Sequence, residues 1–248
     1  MQRYFVSASQ WVNDHVNIIN EDVHHVSRVM RKKIGDEVIC VHPDGRAAKC
    51  AITGISPQSI ELQIQQWLEH NPELPIAVTI AQGLPKSDKM ALILQKGTEL
   101  GAAAFIPFRA ERSVVKWDGG KMAKKTERFT KILKEASEQS HRSNIPVLHD
   151  QMNIDELMIY GKQFDTCIFA YEEEAKVAKF NSFSTIMKEM NKGQSLLACI
   201  GPEGGFTSEE AQQLKESGFQ PVRLGPRILR TETAAMYILA GISYQFEN

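Results

Sequence analysis

Two glycine-containing turns carry the residues of this sequence that are best suited to hold a ligand. The first turn, GPEGG at 201–205, follows the apolar run 196–200, which is typical of a buried parallel strand. Thr207 and Glu210 have the spacing of a capping box, so a helix is expected to begin there. Open α/β sheets bind ligands at such turns, where glycine lets the backbone come close. A tight connection without a ligand is the alternative interpretation.

A second turn of this kind lies near the end of the chain. The strand-like segment PVRL at 221–224 is followed by Gly225-Pro226 and then by a helix with regularly spaced apolar residues. Consecutive strands that both end in Gly-Pro turns are expected to line one crevice. Backbone polar groups beside apolar walls suit a flat heteroaromatic ring. The predicted walls are Ile200, Leu224, Ile228 and Leu229.

The residues around the first turn also indicate the charge of its ligand. The turn lacks the Lys-Ser/Thr pair of a P-loop and the G-x-G-x-x-G spacing of a dinucleotide fold. Glu203 would repel an anion near the start of the helix and attract a cation. S-adenosylmethionine combines an adenine ring with a positive sulfonium, so the turns favour it over a nucleotide phosphate.

The composition is that of an ordinary globular protein. The chain has 248 residues, of which 42% are hydrophobic and 24% are charged, and its net charge is -1. No apolar run is long enough to span a bilayer, and the first residues lack a signal-peptide pattern, so a cytoplasmic protein is expected. The cysteines form no C-x-x-C pair and lie in apolar segments, which favours buried free thiols: Cys40, Cys50, Cys167 and Cys199.

The chain changes character near residue 72. Residues 1–72 contain short strand-like runs separated by turn signals, which predict a small antiparallel β unit with one helix at 21–33. In residues 73–248 strand-like and helix-like segments alternate, which predicts an α/β domain with a mainly parallel sheet covered on both faces. Between 109 and 142 ten Lys or Arg stand against five acidic residues. This excess predicts a basic face, with a solvated helix surface as the alternative.

Longer motifs around the two turns resemble one known family. IGPEGGF at 200–206 and LGPRILRTETA at 224–234, preceded by KGTELGAAAFIPF, ERS and EASEQSHR, look like the signature of the ribosomal RNA small-subunit methyltransferase E family. These enzymes are knotted SPOUT methyltransferases that methylate N3 of a uridine in 16S ribosomal RNA. RYFV at 3–6, HHVSRVMRKKIGD at 24–36 and PDG at 43–45 resemble the family's PUA-like RNA-binding barrel.

The resemblance implies a fold, a cofactor and an assembly. The fold would be α/β, with a PUA-like β-barrel at 1–72 followed by a SPOUT domain at 73–248 that ends in a trefoil knot. The family works as a homodimer with its active site at the subunit interface, and three strand-end loops surround S-adenosylmethionine. Carried over to this sequence, the cofactor-binding residues are Tyr171, Ile200, Gly201, Glu203, Gly204, Leu224, Gly225, Ile228, Leu229 and Thr233.

Methylation of uridine N3 requires a deprotonated nitrogen, and arginine donors would stabilise the negative charge left on the ring. Arg230 is the first catalytic candidate and Arg142 the second. Glu138 precedes Arg142 by one helical turn and is expected to orient it or to accept the proton. A phosphate contact or a surface charge is the alternative for each arginine. Thr231 and Thr233 are candidates either for cofactor contact or for capping the last helix.

The motifs shared with the family also supply RNA-binding candidates. They are Arg3, Arg28, Arg31, Lys32 and Arg112. His24 and His25 have no cysteine or spaced acidic partner nearby, so no metal is expected. The leading hypothesis is a dimeric S-adenosylmethionine-dependent methyltransferase of small-subunit ribosomal RNA, without a membrane partner. A catalytically silent RNA-binding or ribosome-assembly factor on the same scaffold is the main alternative. A nucleotide-phosphate enzyme is a third hypothesis, which the missing P-loop disfavours.

Overall fold

The computed structural model describes residues 1–69, 71–115, 117, 122–171 and 181–247. The chain forms two compact units. The first comprises Met1–Glu73 and Ser137–Asn144, and the second comprises Leu74–Ala136 and Ile145–Asn248. The segment 137–144, which ends the long basic helix, therefore belongs to the first unit although it lies far from it in sequence.

The first unit contains a six-stranded sheet of order β1-β4-β5-β6-β3-β2. The β1–β4 pair is parallel and the other pairs are antiparallel. The strands are β1 (Arg3–Phe5), β2 (Trp11–Val12), β3 (His15–Ile19), β4 (Glu37–Val41), β5 (Ala47–Ile55) and β6 (Ser59–Leu68). This arrangement agrees with the predicted antiparallel unit except for the parallel pair. Alternate residues of the longer strands point inward, and Val16, Ile52, Ile60 and Leu62 are among the buried core residues.

The helix predicted at 21–33 is shorter than expected. Helix α1 covers Glu21–His24 and continues as a π-helical turn over His25–Val29. Arg31 has a φ of 51°, in the left-handed region, so the helical path cannot continue through it. Val23 and Val26 are buried as the helical pattern predicted, whereas Met30 is 40% exposed.

The second unit contains an eight-stranded sheet in which every pair is parallel. Its order is β10-β8-β7-β13-β11-β14-β12, and β9 pairs with β8. The strands are β7 (Ala77–Gly83), β8 (Ala104–Arg109), β9 (Val147–Leu148), β10 (Met152–Asn153), β11 (Thr166–Ala170), β12 (Asn181–Ser182), β13 (Ser195–Ile200) and β14 (Gln220–Arg223).

Helices cover both faces of this sheet, as the alternation of strands and helices predicted. The helices are α2 (Lys89–Glu99), α3 (Met122–Gln139), α4 (Ile154–Gly161), α5 (Phe183–Glu189), α6 (Ser208–Glu216) and α7 (Thr231–Phe246). In β13, Leu196, Ala198 and Ile200 pack in a core that includes residues of α2, α3, α5 and α7. Leu197 and Cys199 point the other way, into a core that includes residues of α4 and α6.

The carboxyl ends of three strands lie side by side at one edge of this sheet. Strand β11 lies between β13 and β14, and Ala170 is opposite both Ile200 and Val222. The two glycine-containing turns, which follow β13 and β14, therefore flank the end of β11. The sequence predicted that the turns share a crevice, but it did not predict that a strand from earlier in the chain separates them.

Candidate functional site

A cavity of about 770 Å³ lies at these three strand ends in the second unit. Both glycine-containing turns contribute to its wall, together with the end of β11 and the start of α7. Nine of the ten residues predicted to bind a cofactor line it: Tyr171, Ile200, Gly201, Glu203, Gly204, Leu224, Gly225, Ile228 and Leu229. The sequence and the family resemblance together thus indicated nine residues of the wall of this cavity.

Thr233, the tenth predicted residue, is exposed and is not among the residues that line the cavity. Thr231, the other threonine candidate, lines the cavity instead. The Thr231 hydroxyl donates a hydrogen bond to the carbonyl oxygen of Gly201 at 2.7 Å and accepts one from Gln82 Nε2 at 2.7 Å. Arg230 is the N-cap residue of α7 and makes no side-chain cap hydrogen bond. The hydroxyl of Thr231 therefore joins the first turn to α7 instead of capping the helix.

Arg112 also holds the first turn. Its guanidinium Nη1 donates hydrogen bonds to the carbonyl oxygens of Gly204 at 3.0 Å and Phe206 at 3.2 Å. A Cβ atom at Gly204 would lie 2.9 Å from Arg112 Cβ, so only glycine fits beside this side chain. Arg112 was predicted to contact RNA, yet in the structure it lines the cavity and fixes the turn. The short motif ERS gave no signal of this contact, because the partners are about 90 residues apart in sequence.

The loop that carries Arg112 has a second attachment to the same region. The buried Glu210 carboxylate accepts a hydrogen bond from the backbone N–H of Glu111 at 2.8 Å and from that of Thr207 at 2.9 Å. The capping box predicted from Thr207 and Glu210 is present at the start of α6. One carboxylate therefore caps a helix and anchors a neighbouring loop.

Glu203 does not face the cavity as an unpaired charge. Its carboxylate lies 3.0 Å from Lys89 Nζ and accepts the backbone N–H of Lys86 at 3.1 Å. Burial raises the pKa of Glu203, but the Lys89 ammonium and the Lys86 N–H outweigh it, so the pKa lies below its ordinary value. Lys89 also lies 3.3 Å from the Glu232 carboxylate. Glu203 is thus ionised and already has a cationic partner.

The cavity wall is basic, contrary to the expectation built on Glu203 alone. Among the wall residues that the structure describes, one is acidic, Glu203, and five are basic: Lys89, Arg112, Arg223, Arg227 and Arg230. A wall of this charge suits a polyanion such as RNA beside the ligand. The expectation was based on Glu203 in the first turn, whereas Lys89 and Arg112 come from distant segments and Arg223, Arg227 and Arg230 flank the second turn.

The second turn is more exposed than the first. Gly225 has a φ of 106°, in the left-handed region that favours glycine. Leu229 lines the cavity, as predicted, and also packs against the core. Ile228 is 82% exposed at the cavity, which rules out core packing for this side chain.

The three catalytic candidates occupy different places. Arg230 lines the cavity next to the start of α7. Arg142 and Glu138 belong to the first unit, where both side chains are buried. The Arg142 guanidinium binds the Glu73 carboxylate through Nη2 and through Nε at 3.2 Å, and Glu73 also accepts the backbone N–H of Ser143 at 2.9 Å. The catalytic roles predicted for Arg142 and Glu138 stay predictions, and within the first unit Arg142 is bound by Glu73.

The RNA-binding candidates of the first unit also differ in exposure. Arg3 is 5% exposed and donates a hydrogen bond to the carbonyl oxygen of Arg142 at 2.8 Å, so it is placed for structure and not for RNA. Burial lowers the pKa of Arg3, and the Glu73 carboxylate opposes that change. Arg28 and Arg31 are exposed and Lys32 is half-buried.

Some predicted features lie outside the described residues. They include Lys116 and Lys121 of the basic region and the start of the strand-end loop after β11, which begins beyond Tyr171. Among the residues that the structure describes, no group of three or more His, Cys, Asp or Glu is arranged to hold a metal ion. No helix in the described ranges has both the length and the apolarity needed to cross a bilayer.

Two domain families and several known proteins match this chain. The RNA methyltransferase domain family matches residues 72–243, and the RNA methyltransferase PUA domain family matches residues 18–65. The chain is 48% identical to ribosomal RNA small subunit methyltransferase E of Bacillus subtilis, over 100% of this chain and 98% of that protein. It is 31% identical to the protein of the same name from Synechocystis, over 99% of this chain and 78% of that protein.

A solved structure extends the likeness to three dimensions. The ribosomal RNA small subunit methyltransferase E of Neisseria gonorrhoeae, bound to S-adenosyl methionine, matches with a TM-score of 0.84 and 28% identity, over 99% of this chain and 98% of that one. The matches cover both units, and the family that matches residues 18–65, in the first unit, is a PUA domain. The chain therefore belongs to the ribosomal RNA small subunit methyltransferase E family.

Proposed function

We propose that this protein uses S-adenosylmethionine to methylate N3 of a uridine in small-subunit ribosomal RNA. The observation that carries the proposal is the cavity at the ends of β11, β13 and β14, whose wall combines two glycine-containing turns with a basic rim. S-adenosylmethionine-dependent methylation of ribosomal RNA is the activity of the family, and the finer choice of uridine N3 is part of the proposal.

The residues present fit the cofactor. A cavity of about 770 Å³ is within the range of small-molecule sites, roughly 300–1,000 Å³. A Cβ atom at Gly201 would lie 3.1 Å from the backbone of Gly205, so a side chain at this position would crowd the narrow turn. Ile200, Leu224 and Leu229 supply apolar contact for the adenine ring. When bound, S-adenosylmethionine supplies an electrophilic methyl group.

Arg230 is placed to act on the substrate. It lines the cavity at the N-terminus of α7, a 16-residue helix whose dipole adds positive potential there. Loss of the N3 proton leaves negative charge on the uracil carbonyl oxygens, and guanidinium donors stabilise that charge. We assign this role to Arg230. Arg227 and Arg223, also in the wall, are placed to hold neighbouring phosphates.

The first unit is assigned to RNA binding. We propose residues 1–72 as a PUA-like barrel and 73–248 as the methyltransferase domain. The exposed Arg28 and Arg31, with Lys32, are placed to contact RNA phosphates. These side chains add affinity without taking part in the chemistry.

Three further features of the family complete the proposal: a C-terminal trefoil knot, a homodimer and a cytoplasmic location. The knot is supported by the strand order, because β11 lies between two strands that follow it in the chain. The homodimer is supported by apolar exposure in the second unit, where Ile228 is 82%, Tyr244 78% and Tyr237 43% exposed. Tyr237 and Tyr244 lie two turns apart on α7, so one face of this helix is available to a second copy.

Methyl transfer tests the proposal directly. The unaltered protein should bind S-adenosylmethionine in calorimetry and transfer radiolabelled methyl groups to small ribosomal subunits. Arg230→Ala should lower kcat at least about tenfold with little change in cofactor Kd, since an arginine contact to a developing charge is worth about 2–3 kcal/mol. Arg128→Ala is the matched control, because Arg128 is exposed and pairs with Asp88 instead of lining the cavity.

Two outcomes would contradict the proposal. A folded protein that binds no S-adenosylmethionine would exclude the enzyme. RNA affinity that survives Arg230→Ala, without methyl transfer by the unaltered protein, would instead indicate a catalytically silent RNA-binding or ribosome-assembly factor.

A further inference from the structure

An aromatic stack lies on the surface of the first unit. The rings of Trp11 and Trp67 are parallel to within 18°, with 5.6 Å between their centroids. The guanidinium carbon of Arg46 lies 4.8 Å from the centroid of Trp67. His42 meets Trp11 edge-on at 5.3 Å. Strand β2, strand β6 and the turn after β4 thus bring their flat groups to the same place.

This stack remains open to solvent. Trp67 is 41% exposed, and the Arg46 side chain is 65% exposed. A tryptophan whose only task is to pack would be expected to bury more of its surface. The exposed ring and guanidinium therefore present a flat surface to whatever meets this side of the first unit.

Asp44 fixes the orientation of the guanidinium. Its carboxylate accepts the backbone N–H of Arg46 at 3.0 Å and the Arg46 Nε–H at 2.8 Å, and it lies 2.8 Å from His42 Nδ1. The hydrogen bond from the Arg46 backbone is the main reason why the pKa of Asp44 is lowered to about 2. Because Asp44 is ionised at neutral pH, Arg46 stays pinned beside Trp67. A pinned group loses little conformational entropy when a ligand binds.

The same ion pair indicates which ligand the stack would take. Asp44 offsets the charge of Arg46, so the pair attracts phosphate only weakly. What remains is an extended π surface, and unpaired nucleobases stack on tryptophan rings and on arginine planes. A duplex offers no such base, because its bases are already stacked on one another. The surface therefore fits single-stranded RNA.

We propose that Trp67 and Arg46, supported by Trp11 and Asp44, form a stacking site for one unpaired base of the RNA substrate. The proposal rests on the function proposed above. Trp11 and Trp67 lie outside the residues 18–65 that match the PUA domain family, so that match does not assign them a role. The site adds a base contact to the phosphate contacts that we assign to Arg28, Arg31 and Lys32.

The Arg46→Lys variant separates stacking from charge, because lysine keeps the charge and loses the plane. We would measure binding of the full-length protein to a fluorescent single-stranded RNA of about twelve nucleotides, and to the same sequence as a duplex. Arg46→Lys and Arg46→Ala should both weaken single-strand binding by about fivefold or more, with no effect on the duplex. Lys49→Ala is the matched control, since Lys49 lies nearby on β5 and is paired with Glu37 instead of stacked. It should change binding less than twofold.

A second variant tests whether weaker binding comes from lost stacking or from a distorted turn after β4. Trp67→Phe keeps an aromatic ring, so the fold and most of the affinity should remain, while quenching of tryptophan fluorescence by the single strand should fall by about half or more. Full binding by Arg46→Lys with weak binding by Arg46→Ala would overturn the proposal in favour of a phosphate contact. Full binding by both variants would show that Arg46 packs against Trp67 without contacting RNA.

Failure of this inference can be told apart from failure of the proposed function. Cofactor binding and methyl transfer by the unaltered protein are measured in the same preparation. If methyl transfer occurs and the Arg46 variants bind normally, only the stacking site is lost. If the unaltered protein transfers no methyl group, the proposed function fails whatever the Arg46 variants show.

Discussion

The two turns of the cavity are alike in sequence but are held in different ways. Side chains from elsewhere in the second unit bind the first turn: Arg112 at Gly204 and Phe206, Thr231 at Gly201, and Lys89 at Glu203. Within the described part of the chain, no side chain donates a hydrogen bond to the 225–229 segment, and Ile228 is 82% exposed. Both segments nevertheless line the same cavity.

This difference suggests that the two turns contribute to ligand binding in different ways. A turn held by several hydrogen bonds keeps its shape before the ligand arrives, which lowers the entropic cost of binding. A turn without such contacts can take its final shape around the ligand and the substrate. Changes at the first turn should therefore alter both the free protein and its ligand affinity. Changes at the second turn should alter only the affinity.

The largest effect is expected from Gly83→Ala. A Cβ atom at Gly83 would lie 2.6 Å from both the nitrogen and Cδ of Pro202, so the first turn would have to move. Overpacking against backbone costs about 1–3 kcal/mol or more, and we expect S-adenosylmethionine Kd to rise about thirtyfold. Gly54→Ala is the control. A Cβ atom there comes closest to the carboxylate of Glu61, the flexible end of a side chain that can move aside. An unchanged Kd for Gly83→Ala would mean that the turn does not need its present position.

Arg112→Ala should have the next largest effect. It removes two charge-assisted hydrogen bonds from the first turn, one exposed to solvent and one partly buried. A loss of about 1.5 kcal/mol corresponds to about a tenfold rise in cofactor Kd, and thermal unfolding should also shift to a lower temperature. If Arg112→Ala weakens RNA binding and leaves cofactor affinity intact, the RNA role predicted from the sequence is the correct one.

Ile228→Ala tests the second turn and should have a smaller effect. Because the side chain is 82% exposed, we expect the thermal unfolding temperature to stay the same. Partial loss of apolar contact with the ligand, at about 0.8 kcal/mol per methylene, should raise cofactor Kd about threefold. Val147→Ala is a matched control, since Val147 is 55% exposed and is not among the residues that line the cavity. A clear fall in unfolding temperature for Ile228→Ala would remove the contrast between the turns.

The smallest effect is expected from pH. The pKa of Glu203 is lowered, so the stabilisation from its ion pair is present above the ordinary value of 4.5 and is lost as pH falls through the folded-state pKa. The hydrogen bond to Glu203 raises the pKa of Lys89, so its contribution is present below 10.5 and is lost as pH rises through the folded-state pKa. We therefore expect this pair to leave cofactor Kd constant within about twofold between about pH 6 and about pH 9. Calorimetric titrations across this range check it, and a steep slope would show that Glu203 titrates there.

Local sequence patterns were sufficient for the parts of the fold whose causes lie within a few residues. Glycines between an apolar run and a capping box specify a strand, a turn and a helix, and the structure has all three at 195–216. For the same reason local patterns indicated the part of the cavity wall formed by the two turns and the ends of β13 and β14, while Tyr171 was indicated by the family resemblance. The change in sequence pattern near residue 72 reflects two different periodicities of apolar residues. Each periodicity can be read from a few neighbouring residues.

The tertiary structure decided what depends on partners far apart in the chain. Periodicity could not show that β11 lies between β13 and β14, that Arg112 reaches Gly204, or that Glu73 binds Arg142. Nor could it bring Trp11, Arg46 and Trp67 together. Each of these contacts joins segments that are distant in sequence, and a side chain's hydrogen-bonding capacity does not reveal which of many possible partners it meets. The sequence thus determined which local elements form and where a ligand can approach the backbone, while packing of distant segments determined which charges and rings surround that ligand.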